Sequence, residues 1–368
     1  MSECETQPFI QVDAKAFLDE LGQCLAETEL DDLRRRVATL TQALALAPVV
    51  QGVPLYDPGV MAAQTNGSLV MRRDILLEEL DQVKTARTLR RAHYYLSRLK
   101  KGATEIRTTA LNDINLNRWK EYDEVLTDSL WLMDRRDTSG AHEAWYWGNY
   151  IPQIPRQLML RYTKVGDWVL DPFVGSGTSL IECRRLGRNG MGVELNPTVA
   201  AQAIAVVDGE PNPYDVTTQI VVGDSTGEDF GALLAAQGCD QVQLVLLHPP
   251  YHDIIRFGEQ PGDLSNAPSV DAFVTQFSQV VQRAMAVLQP GRFLAVVIGD
   301  KYEERAWVPL GFYVMQAVLD QGATLKSIVV KNLNGTRAKR DQQALWRYRA
   351  LVAGFYLFKH EYIFIFQA

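Results

Sequence analysis

The feature that most constrains the fold is a change in sequence pattern at Asp167. From there to residue 298, short apolar runs alternate with amphipathic segments of helix length. Strands of four to six residues that alternate with helices are typical of a parallel α/β sheet, so we predict that fold class for this part of the chain. The apolar runs cover residues 168–170, 191–194, 220–223, 242–247 and 293–298.

Two β-rich segments follow near the end of the chain, LKSIVVKNL (325–333) and EYIFIFQ (361–367). The sequence between them shows no helical periodicity. We therefore expect the two segments to form an antiparallel pair that closes one edge of the sheet.

The first 145 of the 368 residues are predicted to be mostly helical. Apolar side chains recur at spacings of three and four through residues 13–47. A second helical stretch is expected from about Arg72 to Leu99, ended by Gly102. We therefore divide the chain into a helical N-terminal region, 1–145, and an α/β domain, 146–368.

The net charge of −7 excludes a surface that is basic throughout, but it does not exclude a local basic surface. Residues 87–107 contain seven Lys and Arg against one Glu, and residues 331–349 contain six against one Asp. Because phosphate binding depends on local cations, both segments are candidate nucleic-acid surfaces. For the first of them, a solvated helix face is the alternative.

The cysteines and the apolar runs indicate the compartment. Cys4, Cys24, Cys183 and Cys239 lack the spacing of a zinc site or of a disulfide framework. The chain begins with no basic and apolar leader, and no stretch of about 18 apolar residues occurs in it. We therefore expect a cytoplasmic protein with no metal site and no membrane segment.

The sequence VLDPFVGSGTSLIECRRLG predicts a strand, a glycine-rich turn and a helix. Gly175 and Gly177 allow a tight turn and a close approach of the backbone to a ligand. Asp171 at the strand end would oppose a pyrophosphate, and suits a cationic or amino-bearing ligand. The next two strands end in Glu194, which suits ribose hydroxyls, and in Asp224, which suits an adenine amino group. The three carboxylates predict a ligand with a positive centre, a ribose and an adenine.

This loop, with IPQIPRQLMLRYTKVGDW just before it, resembles the S-adenosylmethionine-binding region of the amino-methyltransferases of DNA, which methylate adenine N6 or cytosine N4. The resemblance extends over roughly residues 147–366 and implies S-adenosylmethionine as the cofactor. It also implies a Rossmann-like class I fold, with a seven-stranded, mostly parallel sheet and an antiparallel edge strand. Asn149 would contact the cofactor's carboxylate, in a segment that resembles the one closing over the methionine end. The residues that match the family's D-P-F-x-G-S-G-T are Asp171, Pro172, Phe173, Gly175, Ser176, Gly177 and Thr178.

A second motif, HPPY, follows the fourth strand and comprises His248, Pro249, Pro250 and Tyr251. The two prolines fix a rigid, extended exit from the strand. The motif resembles the family's D/N/S-P-P-Y/F, in which the first side chain and the carbonyl of the first proline accept the two N–H groups of the target amine. That amine is a poor nucleophile because its lone pair is delocalised, and two acceptors would draw it towards tetrahedral geometry. Tyr251 would stack on the base, which must leave the duplex to reach this turn.

His248 departs from the Asp, Asn or Ser that is usual in the family. A neutral imidazole can accept a hydrogen bond, whereas an imidazolium cannot. We therefore expect activity to fall as the pH drops through the pKa of this histidine, and flat activity between about pH 5 and 8 would count against the role. The departure also leaves open a protein that binds the cofactor without transferring a methyl group.

The principal hypothesis is a DNA methyltransferase specific for cytosine N4 or adenine N6, with a possible restriction or recognition partner. An RNA or protein amine methyltransferase is the alternative among enzymes. The interval between Thr178 and His248 is too short for a full target-recognition domain. DNA recognition would then come from the N-terminal region, from the loop at about 334–350 or from a partner. The candidate DNA contacts are Arg90, Arg91, Arg337, Lys339, Arg340 and Arg347.

Overall fold

The computed structural model divides the chain into two compact units, Met1–Val125 and Leu126–Ala368. The predicted boundary after residue 145 is therefore wrong, because the segment that follows Val125 already contributes a strand to the sheet of the second unit. The structure describes residues 9–50, 67–303, 306–333 and 343–368.

The N-terminal unit combines helices with a small sheet, whereas the sequence predicted helices. Its described elements are β1 (Phe9–Asp13), α1 (Ala14–Ala26), α2 (Leu30–Ala45), β2 (Val49–Val50), β3 (Ser68–Arg72), α3 (Arg73–Lys84), α4 (Leu89–Thr104) and a 3-10 helix (Leu116–Glu121). Strand β1 lies between β2 and β3 and is antiparallel to both. The strands are short, and β1 and β3 run directly into helices, so their alternating pattern is masked by the helical spacing that follows.

The helical spacing in residues 13–47 is confirmed by α1 and α2, whose apolar stripes are buried in one core. Leu21 and Leu33 have no exposed surface. The side chain of Asp13 accepts a hydrogen bond from the backbone N–H of Ala16 and so caps the first turn of α1. The single helix predicted from Arg72 to Leu99 is instead two helices, since α3 and α4 are separated by a short turn.

Gly102 lies inside α4 and does not end it. A Cβ at this position would come within 3.1 Å of the carbonyl oxygen of Asn117, in the 3-10 helix. The glycine therefore allows two backbone segments of this unit to pack closely, which is a long-range reason that the local sequence does not reveal.

The C-terminal unit is an α/β sheet of the Rossmann type. Its described strands are β4 (Leu130–Trp131), β5 (Trp168–Asp171), β6 (Asn189–Glu194), β7 (Thr218–Val222), β8 (Val242–Leu247), β9 (Leu288–Ile298), β10 (Lys301–Glu303), β11 (Ala306–Val308), β12 (Thr324–Asn332) and β13 (His360–Gln367). Its described helices are α5 (Gln153–Tyr162), α6 (Thr178–Leu186), α7 (Pro197–Gly209), α8 (Phe230–Ala235), α9 (Val270–Val287), α10 (Leu310–Leu319) and α11 (Gln343–Ala353).

The main sheet has the order β4-β12-β13-β9-β8-β5-β6-β7. Every pairing is parallel except those that β13 makes with β9 and β12. Strands β5 to β9 alternate with helices, which confirms the Rossmann-like class I fold.

Two details of the sheet differ from the prediction. The antiparallel strand β13 is inserted between β9 and β12 and so is not at the edge, where the two-residue strand β4 adds an eighth strand to those described. Helix α11 lies between β12 and β13, where no helix was predicted. Its apolar side chains Leu345, Leu351 and Val352 are exposed, so the segment lacks the buried stripe by which helices are identified in a sequence.

Helix α9 illustrates how the core is built against the sheet. Ser269 precedes the first turn, and its side chain accepts a hydrogen bond from the backbone N–H of Ala272, which caps the helix. Phe273, Phe277 and Val281 recur at intervals of four and are fully buried. The opposite face is polar, and neither α9 nor any other helix in the described ranges is long and apolar enough to cross a membrane.

Candidate active site

A cavity of about 560 Å³ opens at the carboxyl ends of β5 to β8. In a doubly wound sheet the ligand crevice forms at this edge, where the strand order reverses between β5 and β8. The four residues of the HPPY motif, 248–251, line the cavity. Of the predicted cofactor residues, those that line it are Asn149, Pro172, Phe173, Gly175, Ser176, Thr178, Glu194 and Asp224.

Asp171 ends β5 but lies behind the wall of this cavity. It is 1% exposed, and it accepts hydrogen bonds from the backbone N–H of Phe173 at 3.0 Å and from the hydroxyls of Ser179 and Tyr150. No ion pair joins it to a cation in the described part of the chain. Burial raises the pKa of the Asp171 carboxyl to about 6. Its charge would act on a ligand across Tyr150, not by the direct contact that the sequence suggested.

The glycine-rich segment forms the tight turn that the sequence predicted, with Gly175 and Gly177 both at positive φ. Gly177 has a φ of +81° and a Cβ there would lie 2.6 Å from a methyl carbon of Val207, so only glycine fits immediately before α6. Like Asp171, it lies behind the cavity wall. The backbone N–H of Gly175 donates to Oε2 of Glu194 at 3.1 Å, which ties the turn to the end of β6.

The carboxylates at the carboxyl ends of β6 and β7 line the cavity. Glu194 also accepts from the N–H of Asn196 at 2.9 Å, and burial raises its pKa. Asp224 uses Oδ1 to accept from the N–H and hydroxyl of Thr226, and its Oδ2 lies against Gly262, where a Cβ would be 2.2 Å away. The two side chains give this end of the cavity an acidic wall.

The cavity is also lined by an arginine that sequence reasoning missed. Arg136 donates from Nη1 to the side-chain oxygen of Asn149 at 3.2 Å and to the carbonyl of Tyr150 at 2.8 Å. Asn149 in turn donates to the hydroxyl of Ser176 at 2.9 Å. Nε and Nη2 of Arg136 are buried and have no partner among the described residues, and burial lowers the pKa of the guanidinium. A single arginine in an irregular segment carries no sequence signal that would have identified it.

The HPPY turn brings three aromatic rings together. The ring of His248 lies 4.8 Å from that of Tyr150 and 5.7 Å from that of Tyr251, measured between centroids. The Tyr251 hydroxyl donates to Oε2 of Glu361 at 2.8 Å and lies 3.4 Å from Nε2 of His248. Burial and the Glu361 carboxylate raise the pKa of Tyr251 well above its usual value, so this hydroxyl keeps its proton.

The protonation state of His248 corrects the pH expectation. Burial lowers the pKa of His248 to about 4, with nearby Lys331 acting in the same direction and Glu361 opposing it. The imidazole is therefore neutral throughout pH 5 to 8, where it can accept a hydrogen bond. Flat activity over that range is what a neutral imidazole at position 248 would give, and it no longer counts against the role.

Glu361 and Lys331 form a second feature that the sequence did not reveal. They lie opposite each other on β13 and β12, and Oε1 of Glu361 is 2.8 Å from Nζ of Lys331. Their exposures are 6% and 4%, and both line the cavity. The two residues meet because β12 and β13 pair in one particular register, and the pattern of residues in the sequence does not specify that register.

One group of described side chains has the spacing of a metal site, namely Asp137, His142 and Glu182. Arginines already balance it: Arg185 lies 3.4 Å from each of the two carboxylates, and Arg156 lies 3.5 Å from the second oxygen of Glu182. The expectation of no metal stays a prediction.

The predicted DNA contacts lie in several parts of the chain. Arg90 and Arg91 are exposed on α4 of the N-terminal unit, and the Arg91 guanidinium lies 5.1 and 4.8 Å from the ring centres of Tyr94 and Tyr95. Arg347 is exposed on α11 of the C-terminal unit. Arg337, Lys339 and Arg340 lie outside the described residues.

Part of the chain is similar to a known family of methyltransferases. Residues 61–205 match the model of the N6 and N4 methyltransferases, described as DNA methylase. The type II methyltransferase M.MjaII of Methanocaldococcus jannaschii is 36% identical over 86 residues, which are 21% of this chain and 16% of the relative. The type II methyltransferase M.Cfr9I of Citrobacter freundii is 37% identical over 82 residues, 22% of this chain and 26% of the relative. The chain thus spans a small part of the length of the curated relatives it matches.

Solved structures are similar at low sequence identity. TrmN from Thermus thermophilus has a TM-score of 0.39 and 16% identity, covering 60% of this chain and 50% of that one. A SAM-dependent methyltransferase from Methanosarcina mazei has a TM-score of 0.36 and 13% identity, covering 55% and 92%.

The family model and the relatives match this chain over part of its length, and they support S-adenosylmethionine as the cofactor. The residues of the cavity fit this molecule, which carries a carboxylate, an ammonium, a sulfonium, a ribose and an adenine. The unpartnered nitrogens Nε and Nη2 of Arg136 would bind the carboxylate, together with Asn149. Glu194 and Asp224 would accept from the ribose hydroxyls and the adenine amino group.

We expect Asp171→Asn to stabilise the fold at pH 7. A folded-state pKa near 6, against an ordinary value near 3.9, means that the ionised carboxylate destabilises the folded state by about 2–3 kcal/mol above pH 6. The gain should shrink as the pH falls and vanish below about pH 4, where the acid is neutral in both states. Urea unfolding at pH 7 and pH 4 measures this, with the exposed Asp240→Asn as the control. Equal stability of Asp171→Asn and the parent at pH 7 would contradict a raised pKa of Asp171 in the folded state.

We expect Arg136→Gln to weaken S-adenosylmethionine binding about 10- to 100-fold, because it removes charge-assisted hydrogen bonds. Binding of 5′-methylthioadenosine, which lacks the amino-acid part, should change little. Calorimetric titration of both ligands separates the two effects, and the exposed neighbour variant Arg135→Gln is the matched control. Equal losses for the two ligands would assign Arg136 a structural role only.

Proposed function

We propose that this protein is a DNA amino-methyltransferase, which transfers a methyl group from S-adenosylmethionine to an exocyclic amine of a base in DNA, cytosine N4 or adenine N6. The base would be rotated out of the duplex to reach the HPPY turn. The observation that carries the proposal is that His248 to Tyr251 share one cavity with the cofactor residues Asn149, Glu194 and Asp224.

The residues of the turn supply what an amine acceptor needs. The neutral imidazole of His248 and the carbonyl oxygen of Pro249 would each accept one N–H of the amine, which aims its lone pair towards the cofactor. S-adenosylmethionine supplies an activated methyl group when bound. Pro249 and Pro250 hold the turn rigid, so the site contributes mainly by positioning.

Two observations support DNA as the substrate. The relatives with matching sequence are type II methyltransferases, a name that also supports a companion restriction enzyme as a partner. The exposed cations Arg90, Arg91 and Arg347 offer phosphate contacts, and we propose the same role for the three cations at 337, 339 and 340. The helical N-terminal unit would then assist recognition, since the α/β unit contains no separate recognition domain between its two motifs.

The proposal is tested by nucleoside mass spectrometry of DNA from a host that lacks both marks. Expression of the protein should introduce N4-methylcytosine or N6-methyladenine, and the mark identifies the base. The His248→Ala variant, which loses the acceptor, should introduce little or none. Methyl label found in RNA or protein and absent from DNA would support the alternative enzyme classes. Cofactor binding with no methylated product would indicate a non-catalytic module.

We expect the methyl-transfer rate at saturating cofactor to be flat from about pH 5.5 to 8 and to fall as the pH approaches 4. The neutral imidazole accepts a hydrogen bond from the amine, and this neutral form is lost only below the pKa of His248, about 4. The charged and titratable groups around it are Tyr150, Tyr251, Lys331 and Glu361. Cofactor affinity should weaken earlier, below about pH 6, where Asp171 takes up a proton. Single-turnover rates and cofactor titrations across the range check both, and a rate that halves near pH 6.5 at saturating cofactor would contradict the lowered pKa of His248.

A further inference from the structure

The Tyr251 hydroxyl lies between a histidine and a carboxylate, and its hydrogen bonds fix the tautomer of the histidine. A carboxylate can only accept, so the one proton of the hydroxyl is donated to Glu361, 2.8 Å away. The hydroxyl oxygen then accepts from Nε2 of His248 at 3.4 Å. In the neutral imidazole this leaves the lone pair on Nδ1, which makes no hydrogen bond to another described residue.

The other described neighbours of His248 do not compete for its hydrogen bond with Tyr251. The ring of Tyr150 lies against the imidazole, but its hydroxyl is directed to Asp171, at 3.3 Å from Oδ2. Lys331 is paired with Oε1 of Glu361, which leaves Oε2 for Tyr251. Within the described ranges, the Tyr251 hydroxyl is therefore the side-chain group that connects His248 to a proton acceptor.

The proposed reaction requires such an acceptor. When the amine nitrogen forms its bond to the methyl carbon, the carbon–sulfur bond breaks and its electron pair stays on sulfur. The nitrogen then carries a positive charge and must lose one proton. Because its lone pair would otherwise be delocalised into the base, the alkylated amine is a strong acid, and even a weakly basic imidazole can take the proton.

We propose that His248, Tyr251 and Glu361 form a relay that removes this proton, an inference that rests on the proposed function. Nδ1 of His248 takes the proton from the amine, Nε2 passes its own proton to the Tyr251 oxygen, and the Tyr251 proton moves to Oε2 of Glu361. One proton enters at the base and one arrives at the carboxylate, so both rings end neutral. Lys331 balances the charge of Glu361 before the step and remains protonated after it. Histidine in place of the family's Asp, Asn or Ser is thus explained, because it both accepts and transmits a proton.

The first test compares Tyr251→Phe with Tyr362→Phe, using methyl-labelled S-adenosylmethionine and unmethylated plasmid DNA. Tyr251→Phe keeps the ring and leaves the Lys331–Glu361 pair intact, but it removes the relay hydroxyl. We expect kcat to fall at least about tenfold, with cofactor binding and KM for DNA little changed. Tyr362 is the next residue after Glu361, and its hydroxyl bonds to another carboxylate, that of Asp300 at 3.4 Å. Its phenylalanine variant should keep kcat within about twofold.

The second test repeats Tyr251→Phe in the His248→Asn background. The side-chain oxygen of asparagine can accept a hydrogen bond from the amine, as in the family, but asparagine cannot pass a proton on. The relay predicts that Tyr251→Phe then lowers kcat by no more than about threefold, so the two substitutions are strongly non-additive.

A third test substitutes the carboxylate. Glu361→Gln should lower kcat as Tyr251→Phe does, and the variant that carries both Glu361→Gln and Tyr251→Phe should be no slower than either single variant. Because glutamine leaves Lys331 buried without its partner, Lys331→Met with Glu361→Gln separates this loss from a loss of stability, read by thermal unfolding.

A solvent isotope effect decides the outcome even if His248→Asn is inactive. Single-turnover methyl transfer by the parent enzyme should slow about twofold or more in D₂O, and Tyr251→Phe should lose most of this effect. An equal isotope effect in both, or a Tyr251→Phe variant with full kcat, would overturn the relay while leaving methyl transfer intact. A parent enzyme that places no label in DNA would instead refute the proposed function.

Discussion

Strand β13 runs opposite to every neighbour in the sheet, and the chemistry of the cavity depends on this reversal. Because it is antiparallel to β9, its first residues lie beside Ile298, at the carboxyl end of the parallel strands. The ligand crevice forms at that end. Glu361, the second residue of β13, therefore reaches the HPPY turn, and a parallel strand would have begun at the far edge of the sheet. The same pairing puts Lys331 of β12 directly opposite Glu361.

The cavity separates its charges in a way that suits a ligand with charges of both signs. Arg136 at one end has buried N–H groups without partners, and Asp171 behind the wall has no counter-cation among the described residues. Each is costly to bury alone, and each would gain from an opposite charge on the cofactor. His248, which lines the same cavity, is neutral because burial lowers its pKa to about 4. In the proposed function, the strong charges would bind the cofactor and the uncharged imidazole would accept a hydrogen bond from the reacting amine.

The sequence predicted the parts of the fold that local patterns encode. The alternation after Asp167 identified β5 to β9, and the two motifs identified the residues that line the cavity, since glycine turns and strand-end carboxylates have short-range signatures. Glu361 was missed because its contacts are with residues far along the chain, and Arg136 was missed because a single arginine in an irregular segment has no recognisable pattern. Gly102 was misread for the same reason: it accommodates the backbone of Asn117, which no local pattern shows. The exposed apolar face of α11 and the short strands of the N-terminal unit lacked a buried stripe long enough to be recognised.

The register of β12 and β13 has a consequence for the cavity. Eight residue pairs, from Thr324 with Gln367 to Asn332 with His360, fix how the two strands align. Lys331 and Glu361 are one of these pairs, and both line the cavity. A slip of this register by one residue would turn the two side chains to opposite faces of the sheet and leave each charge without its partner.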